Sequence, residues 1–341
     1  MKRIYLILGL IILLFNSCET DFDVNAQWED ITVIMGLLDK SQEIQYVKVN
    51  KAFLGEEDAA QMASFSDSLN YDPEDIVVSL HEIKNDLDTI WSRELKDTIL
   101  EKDSDGIFAS DNNIVYYLEG TVLKSSNDDD NNIFTYAITV ENLSTGNIVS
   151  SSTRVIGDFN FISWDGTSTS GGAGSSEPYE LPFYNLIAGN NEGRRPLSWT
   201  SNSNPNAVIY NLALRFHYRE NGIAKNLLWQ LPEVGNDVET LIFEGVDFFN
   251  FLSNNLEKNN SVRSFDSIDI EMTLGTEDLK TYMLVNEEIT SIVQERPPFT
   301  NIVNGIGLFS SRYTRVYSGL LLKSEALDYL NDVDGLDRNF Q

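Results

Sequence analysis

From residue 28 onward the apolar positions of the chain recur mostly with a period of two, in short runs broken by polar and glycine-bearing turns. Ile31 to Leu38 and Ile44 to Leu54 are the first two predicted strands, with Asp39, Lys40, Ser41 and Gln42 turning between them. After a polar loop from Gly55 to Pro73, Ile76, Val78 and Leu80 alternate with Val77, Ser79 and His81, as in a half-buried strand. Strands are also expected at Asp88 to Leu100 and Ile114 to Leu118. The clearest hairpin runs from Phe134 to Val155. Phe134, Tyr136, Ile138 and Val140 face one side, and Ser144 to Asn147 turn the chain, with Gly146 free to take a positive φ.

The second half continues the pattern and then departs from it. Thr167 to Ser176 reads TSTSGGAGSS, a low-complexity stretch taken as a long surface loop because strand-like segments flank it at Phe159 to Trp164 and Tyr179 to Tyr184. Pro205 to Glu220 places Leu212, Leu214, Phe216 and Tyr218 on one face, and Asn221-Gly222 turns into a strand from Ile223 to Leu231. Helical spacing enters only late. Val246, Phe249, Leu252 and Leu256 share a helical face, Thr276 is placed to cap a helix opened by Glu277 and Asp278, and Ser324 to cap a last one through Leu330. Strands at this spacing without interleaved helices predict a mainly β chain: an immunoglobulin-like β-sandwich over 27–157, then a second β-rich domain with a few short helices over 158–331 and a tail over 332–341.

The first residues follow another rule. Lys2 and Arg3 precede an apolar run from Ile4 to Phe15, and Asn16, Ser17 and Cys18 close it. Spanning a membrane takes about 20 apolar residues, so the run reads as a leader. Residues 1–17 are thus expected to be a lipoprotein signal peptide, Cys18 the lipidated residue, and 18–26 a tether. Cys18 is the only cysteine, which excludes a disulfide framework. Three acyl chains would bury several dozen methylenes at roughly 0.8 kcal/mol each, an effectively permanent membrane anchor. The alternative is an ordinary cleaved signal with an incidental cysteine. Phe15 and Asn16 depart from the strict lipobox in a way that resembles Bacteroidota lipoproteins, and there the acids after the cysteine (Glu19, Asp21 and Asp23) resemble the signal for display on the outer face.

The formal charge is −29, two units more negative once Lys2 and Arg3 leave with the leader. Such a surface repels phosphate backbones, so nucleic acid is excluded as an expected partner, and attachment to an anionic membrane falls to the lipid. A hydrophobic content of 42% argues for packed cores despite the charge.

Candidate chemistry is sparse. The two histidines, His81 and His217, lie on separate predicted strands, and no zinc spacing, GxSxG elbow, HExxH helix or P-loop occurs. No metal, cofactor or catalytic residue is therefore assigned. Glu101, Asp103, Asp105 and Gly106 have the spacing of half a calcium loop, but its twelfth position is Asn112, and a Ser-Asp-Gly hairpin turn is the simpler reading. Asp128 to Asp130 read as a solvated loop. Arg215, His217 and Arg219 share the outward face of one strand, either as a site for an anionic ligand or as one half of a set of cross-strand charge pairs. Trp28, Trp91, Trp164, Trp199 and Trp229 are either sugar platforms or core and rim residues.

The most distinctive stretch of the body is Arg296 to Arg312, RPPFTNIVNGIGLFSSR, in which two prolines stop the preceding element and Gly305 and Gly307 leave a side-chain-free path into a strand at Leu308. Its Asn301 to Phe309 segment resembles the closing segment of Bacteroidota outer-membrane lipoproteins that carry a domain of unknown function. The strands at Ile31 to Phe53 and around Tyr136 look like the same family. The resemblance implies a lipid-anchored outer-membrane protein facing the exterior, or alternatively the periplasm, with a TonB-dependent receptor as a possible partner in nutrient uptake. It brings no catalytic residues. The expected function is that of a binding or accessory protein and not an enzyme. A carboxylate-based glycoside hydrolase, which needs two acids about 5 to 10 Å apart in one cleft, and a structural adhesin or spacer are the alternatives.

Overall fold

The computed structural model describes residues 31–52, 69–101, 113–159 except 127 and 130, 161–163, 180–199 except 182, 186 and 187, 204–235, 240–287 and 298–341. The expected leader, Cys18, Trp28, Trp164, the 167–176 stretch and the loop carrying Asp103, Asp105 and Asn112 lie outside the described residues. The first strands are β1 (Ile31–Asp39), β2 (Ile44–Ala52), β3 (Ile76–Lys84), β4 (Asp88–Glu94), β5 (Lys96–Ile99), β6 (Ile114–Glu119), β7 (Phe134–Asn142) and β8 (Ile148–Thr153). The rest are β9 (Phe161–Ser163), β10 (Glu180–Leu181), β11 (Arg194–Trp199), β12 (Ile209–Glu220), β13 (Ile223–Gln230), β14 (Val234–Gly235), β15 (Thr240–Glu244), β16 (Arg263–Gly275) and β17 (Ile306–Leu322). Among the described residues three α-helices join them: α1 (Gly245–Asn255), α2 (Glu277–Asn286) and α3 (Ser324–Asn331).

The protein is mainly β. In the first half β1-β2-β6-β5 faces β4-β3-β7-β8, the immunoglobulin order of four strands over four, with β4 as the added edge strand. The two-residue alternation produces this packing: Ile76, Val78 and Leu80 of β3 and Phe134, Tyr136, Ile138 and Val140 of β7 are all buried. The run from Asp88 to Leu100, expected as one strand, is two strands in different sheets. Leu95 breaks it, because its side chain is buried and its N–H bonds to the Val78 carbonyl at 2.8 Å, drawing the chain across the core.

The second half packs β13-β12-β16-β17 against β15-β11-β9, α1 and α3, around Trp199, Tyr210, Phe216, Phe243 and Phe248. Trp199 stacks on Tyr210 with centroids 5.7 Å apart. The hydrophobic clusters divide between Val155 and Ile156, but the C-terminal chain crosses back, giving Ile302 and Phe309 to the first core. β17 is the connecting element. Val33 to Asp39 of β1 pair in parallel with Ile306 to Arg312, and β16 pairs antiparallel from Arg312 to Leu320, so one sheet runs through both halves. Residues 301–312, expected within the second domain, thus complete the first. The residues expected as a tail also pack inward: Leu336 and Phe340 are buried in the second core, and Asn339 and Gln341 exchange backbone hydrogen bonds with Arg263.

Polar contacts tie the halves together. Ser311 Oγ accepts the Ile156 N–H at 3.1 Å, and the Lys40 ammonium reaches Asp128 at 2.7 Å and Asp158 at 3.3 Å. Asp128, expected in a solvated loop, is therefore a structural anchor. Burial works to raise its pKa, but hydrogen bonds from Lys40 and Ser125 prevail and hold it below the ordinary carboxylate value. Thr276 begins α2 without capping it, because its hydroxyl bonds to that of Ser310. Lys323, not Ser324, occupies the cap position of α3.

Candidate functional site

The alternation of β12 turns Leu212, Leu214, Phe216 and Tyr218 inward and leaves Arg215, His217 and Arg219 on the opposite face. β16 sets an acid against each. The Arg215 guanidinium donates from Nε to Glu271 Oε1 at 2.6 Å and from Nη2 to Oε2 at 3.2 Å, and from Nη1 to Asn226 at 3.1 Å. That bidentate bond to Glu271 raises the Arg215 pKa. His217 Nε2 lies 3.0 Å from Asp269 Oδ2, and Arg219 Nε 3.4 Å from Asp266 Oδ2. Of the two expectations for this stripe, cross-strand charge pairing is the one the structure shows.

The other candidates are separated. His81 lies in the first sandwich, between Ser92 (Nδ1 to Oγ, 2.7 Å) and Thr139 (Nε2 to Oγ1, 3.0 Å), and burial pushes its pKa below the ordinary value. Trp199 is fully buried, while Trp229 stacks on Phe251 with centroids 5.9 Å apart. Trp91 packs against Tyr136 with Arg93 over its ring. Asp86, Glu277 and Asp278 share a polar cleft of about 310 Å³, in which Asp86 is held by Arg154 and Thr135 and Asp278 by Asn301. Among the described residues no group of three or more His, Cys, Asp or Glu could hold a metal ion. No helix among them is long and apolar enough to cross a membrane.

Two features were not anticipated. The first is a buried carboxylate, Glu82, on the inward face of β3. Tyr136 Oη donates to its Oε2 at 2.8 Å, Lys124 Nζ stands 3.6 Å from Oε1, and the Lys124 N–H donates to Tyr136 Oη at 2.6 Å. Burial, foremost, and the bond to Glu82 raise the Tyr136 pKa, so the phenol keeps its proton and serves as donor.

The second is a groove of about 630 Å³ between α2 and the outer face of β1 and β2. Met35, Ile44 and Tyr46 lie along it, with Leu279, Tyr282 and Met283 of α2 as the facing wall. None of the α2 residues is fully buried, and Met283 is 41% exposed. Asp39 and Arg312 also line it. Asp39 is only 3% exposed, its Oδ1 accepts from the Ser41 N–H and hydroxyl, and its Oδ2 has no hydrogen-bond partner among the described residues. Arg312 Nε stands 3.5 Å from that oxygen, near enough to attract it and too far to satisfy it. The Gln45 amide fixes the turn from below, accepting from the Asp39 N–H and donating to the carbonyls of Asp39 and Gln42, each at 2.9 Å. A signal for the groove was present in β1, whose IMGLL run is apolar on both faces, as in strands covered on both sides.

No family model matches this chain, and no curated protein matches it in sequence.

Proposed function

We propose that this chain is a cell-envelope lipoprotein, anchored in the outer membrane by acyl chains on Cys18 and facing the cell exterior, that acts by binding and not by catalysis. The observation that carries the anchoring is the sole cysteine directly behind a short basic start and an apolar run too short to span a bilayer. Glu19, Asp21 and Asp23 behind it support the outward face. The binding role is supported by the groove of the first sandwich, whose walls carry the exposed apolar side chains of Met35, Ile44, Tyr46 and Met283, with the Asp39–Arg312 ion pair also in its lining. The likeness of Asn301 to Phe309 to lipoproteins that neighbour TonB-dependent receptors makes such a receptor the first partner to test.

Affinity purification of the acylated protein from host membranes, cross-linked and solubilised in mild detergent, tests the reading. The expected result is an enriched outer-membrane protein that protease treatment of intact cells removes together with the lipoprotein. Recovery of the lipoprotein alone, or its survival in intact cells under protease, overturns the binding role or the outward orientation respectively.

A further inference from the structure

Two stretches of the chain, 142–153 and 297–311, carry no charged side chain, although the whole sequence has 53 aspartates and glutamates. The fold lays them side by side. Ser150 and Val303 exchange backbone hydrogen bonds at 2.8 and 3.2 Å, the Asn304 side-chain amide donates to the Ile148 carbonyl at 3.2 Å, and Ser151 Oγ donates to the Asn301 carbonyl at 2.8 Å. Leu143, Ile148 and Val303 are each more than half exposed, and Ile306 is exposed as well. Apolar side chains grouped in this way mark a contact surface, whereas single ones scattered over a protein do not. All four lie at one end of the first sandwich, where β7 finishes at Asn142, β8 starts at Ile148 and β17 starts at Ile306. β1 starts there too, because Val33 pairs with Ile306, and a Cβ on Gly305 would lie 2.7 Å from the Thr32 carbonyl oxygen. The chain ahead of Ile31 therefore leaves the fold within a few residues of this patch.

We infer that this end of the first sandwich rests on the lipid bilayer, with Leu143, Ile148, Val303 and Ile306 entering the headgroup boundary. The inference rests on the reading of Cys18 as acylated. Residues 18–30 reach at most about 45 Å when fully extended and span about 20 Å as a flexible chain, so the anchor brings this end to the membrane first. Charge favours lipid over a second copy of the chain. Another copy would bring a further formal charge of −29, whereas a zwitterionic headgroup layer brings no net charge. The patch itself has no carboxylate to be drawn out of water, and the exposed acids Glu74 and Asp75 border it on one side, where the Asp75 carbonyl accepts the Leu143 N–H at 2.9 Å. β1 and β17 both run away from this end, so a protein resting on it holds Asp39 and the second core on the side away from the lipid.

Depth-sensitive fluorescence on phosphatidylcholine vesicles tests the assignment. Two forms are compared: the acylated protein, and the chain from residue 19 held by an N-terminal hexahistidine on nickel-chelating lipid. Neither has a free cysteine of its own, so one nitrobenzoxadiazole label can be placed on Leu143→Cys, Val303→Cys, Leu87→Cys or Ile223→Cys. Leu87 and Ile223 are more exposed than any residue of the patch, but Leu87 lies at the opposite end of β3 and Ile223 in the turn of the second half. Labels at 143 and 303 are expected to shift their emission to the blue and to be quenched by doxyl-labelled lipid at least twofold more than labels at 87 and 223. Val303→Asp, at an exposed position, is expected to remove most of the shift read at 143 while leaving thermal unfolding in solution unchanged. If that variant does not fold, the comparison of the four labels decides alone. Equal quenching at all four positions, or deeper labels at 87 or 223, overturns the assignment. Acylated protein whose labels at 143 and 303 stay in water would keep the anchor and remove the resting surface. Deep labels on the nickel-held chain, with Cys18 unmodified in the host, would do the reverse.

Discussion

The side-chain amide of Asn301 bonds to both backbone groups of Phe309: its Oδ1 accepts the Phe309 N–H at 3.0 Å, and its Nδ2 donates to the Phe309 carbonyl at 2.7 Å. Phe309 is fully buried and precedes Arg312, the point at which β16 begins to pair with β17. The amide therefore acts as a one-residue strand neighbour, and its Nδ2 also reaches Asp278 of α2 at 2.9 Å. Asn301→Ala would leave a buried N–H and carbonyl unpaired, at a cost of about 2 to 4 kcal/mol. Urea denaturation should show that loss, and Asn301→Asp should restore little of it, because the carboxylate cannot donate and would face Asp278.

Gly307 sets how closely β17 approaches β1. Its φ is +117°, and a Cβ there would lie 2.1 Å from the Ile34 carbonyl oxygen. Gly319 on the same strand also has a positive φ, of +79°, but open space around it. Gly307→Ala is expected to cost about 3 kcal/mol or prevent folding, and Gly319→Ala only about 1 to 2 kcal/mol. Comparing their thermal unfolding separates the clash from the backbone effect, and equal losses would count against the close approach.

Tyr136→Phe keeps the core volume and removes the only hydroxyl shown bonding to Glu82 among the described residues. A loss of about 2 kcal/mol is expected, and Tyr136→Phe combined with Glu82→Leu should recover part of it. A double-mutant cycle measures the coupling.

His81 should give stability a pH dependence just below neutrality. Burial holds its folded pKa below the ordinary 6.5, so between those two values the unfolded chain binds more protons than the folded one. Stability should fall as pH drops below about 6.5 and level off beneath the folded value. His81→Gln should flatten that part of the curve. Asp128, whose folded pKa is lowered from 3.8, acts only in a more acidic window, where stability is lost as its carboxylate takes a proton.

Much of the β architecture was legible from local pattern, because a buried face on a pleated strand imposes a period of two on the sequence, as in β3, β7 and β12. That the first half is a β-sandwich followed from strand count and spacing. What local pattern does not carry is long-range partnership. Nothing near Ile34 indicates that its strand pairs in parallel with one beginning at Ile306, or that Leu95 divides one apolar stretch between two sheets. The basic stripe on β12 was visible, but the acids that occupy it sit on β16, about fifty residues on, and their register is a tertiary fact. Asp39 read as a turn residue because turns favour aspartate, and its burial beside Arg312 depends on the same crossing strand.

The account depends most on the fate of Cys18. Intact mass and peptide mass spectrometry on the protein purified from its host's membranes reads that directly. The account predicts a mature chain that begins at residue 18 and carries a diacylglyceryl thioether on its sulfur. A chain that begins elsewhere, or that bears an unmodified Cys18 and is recovered without detergent, would contradict it.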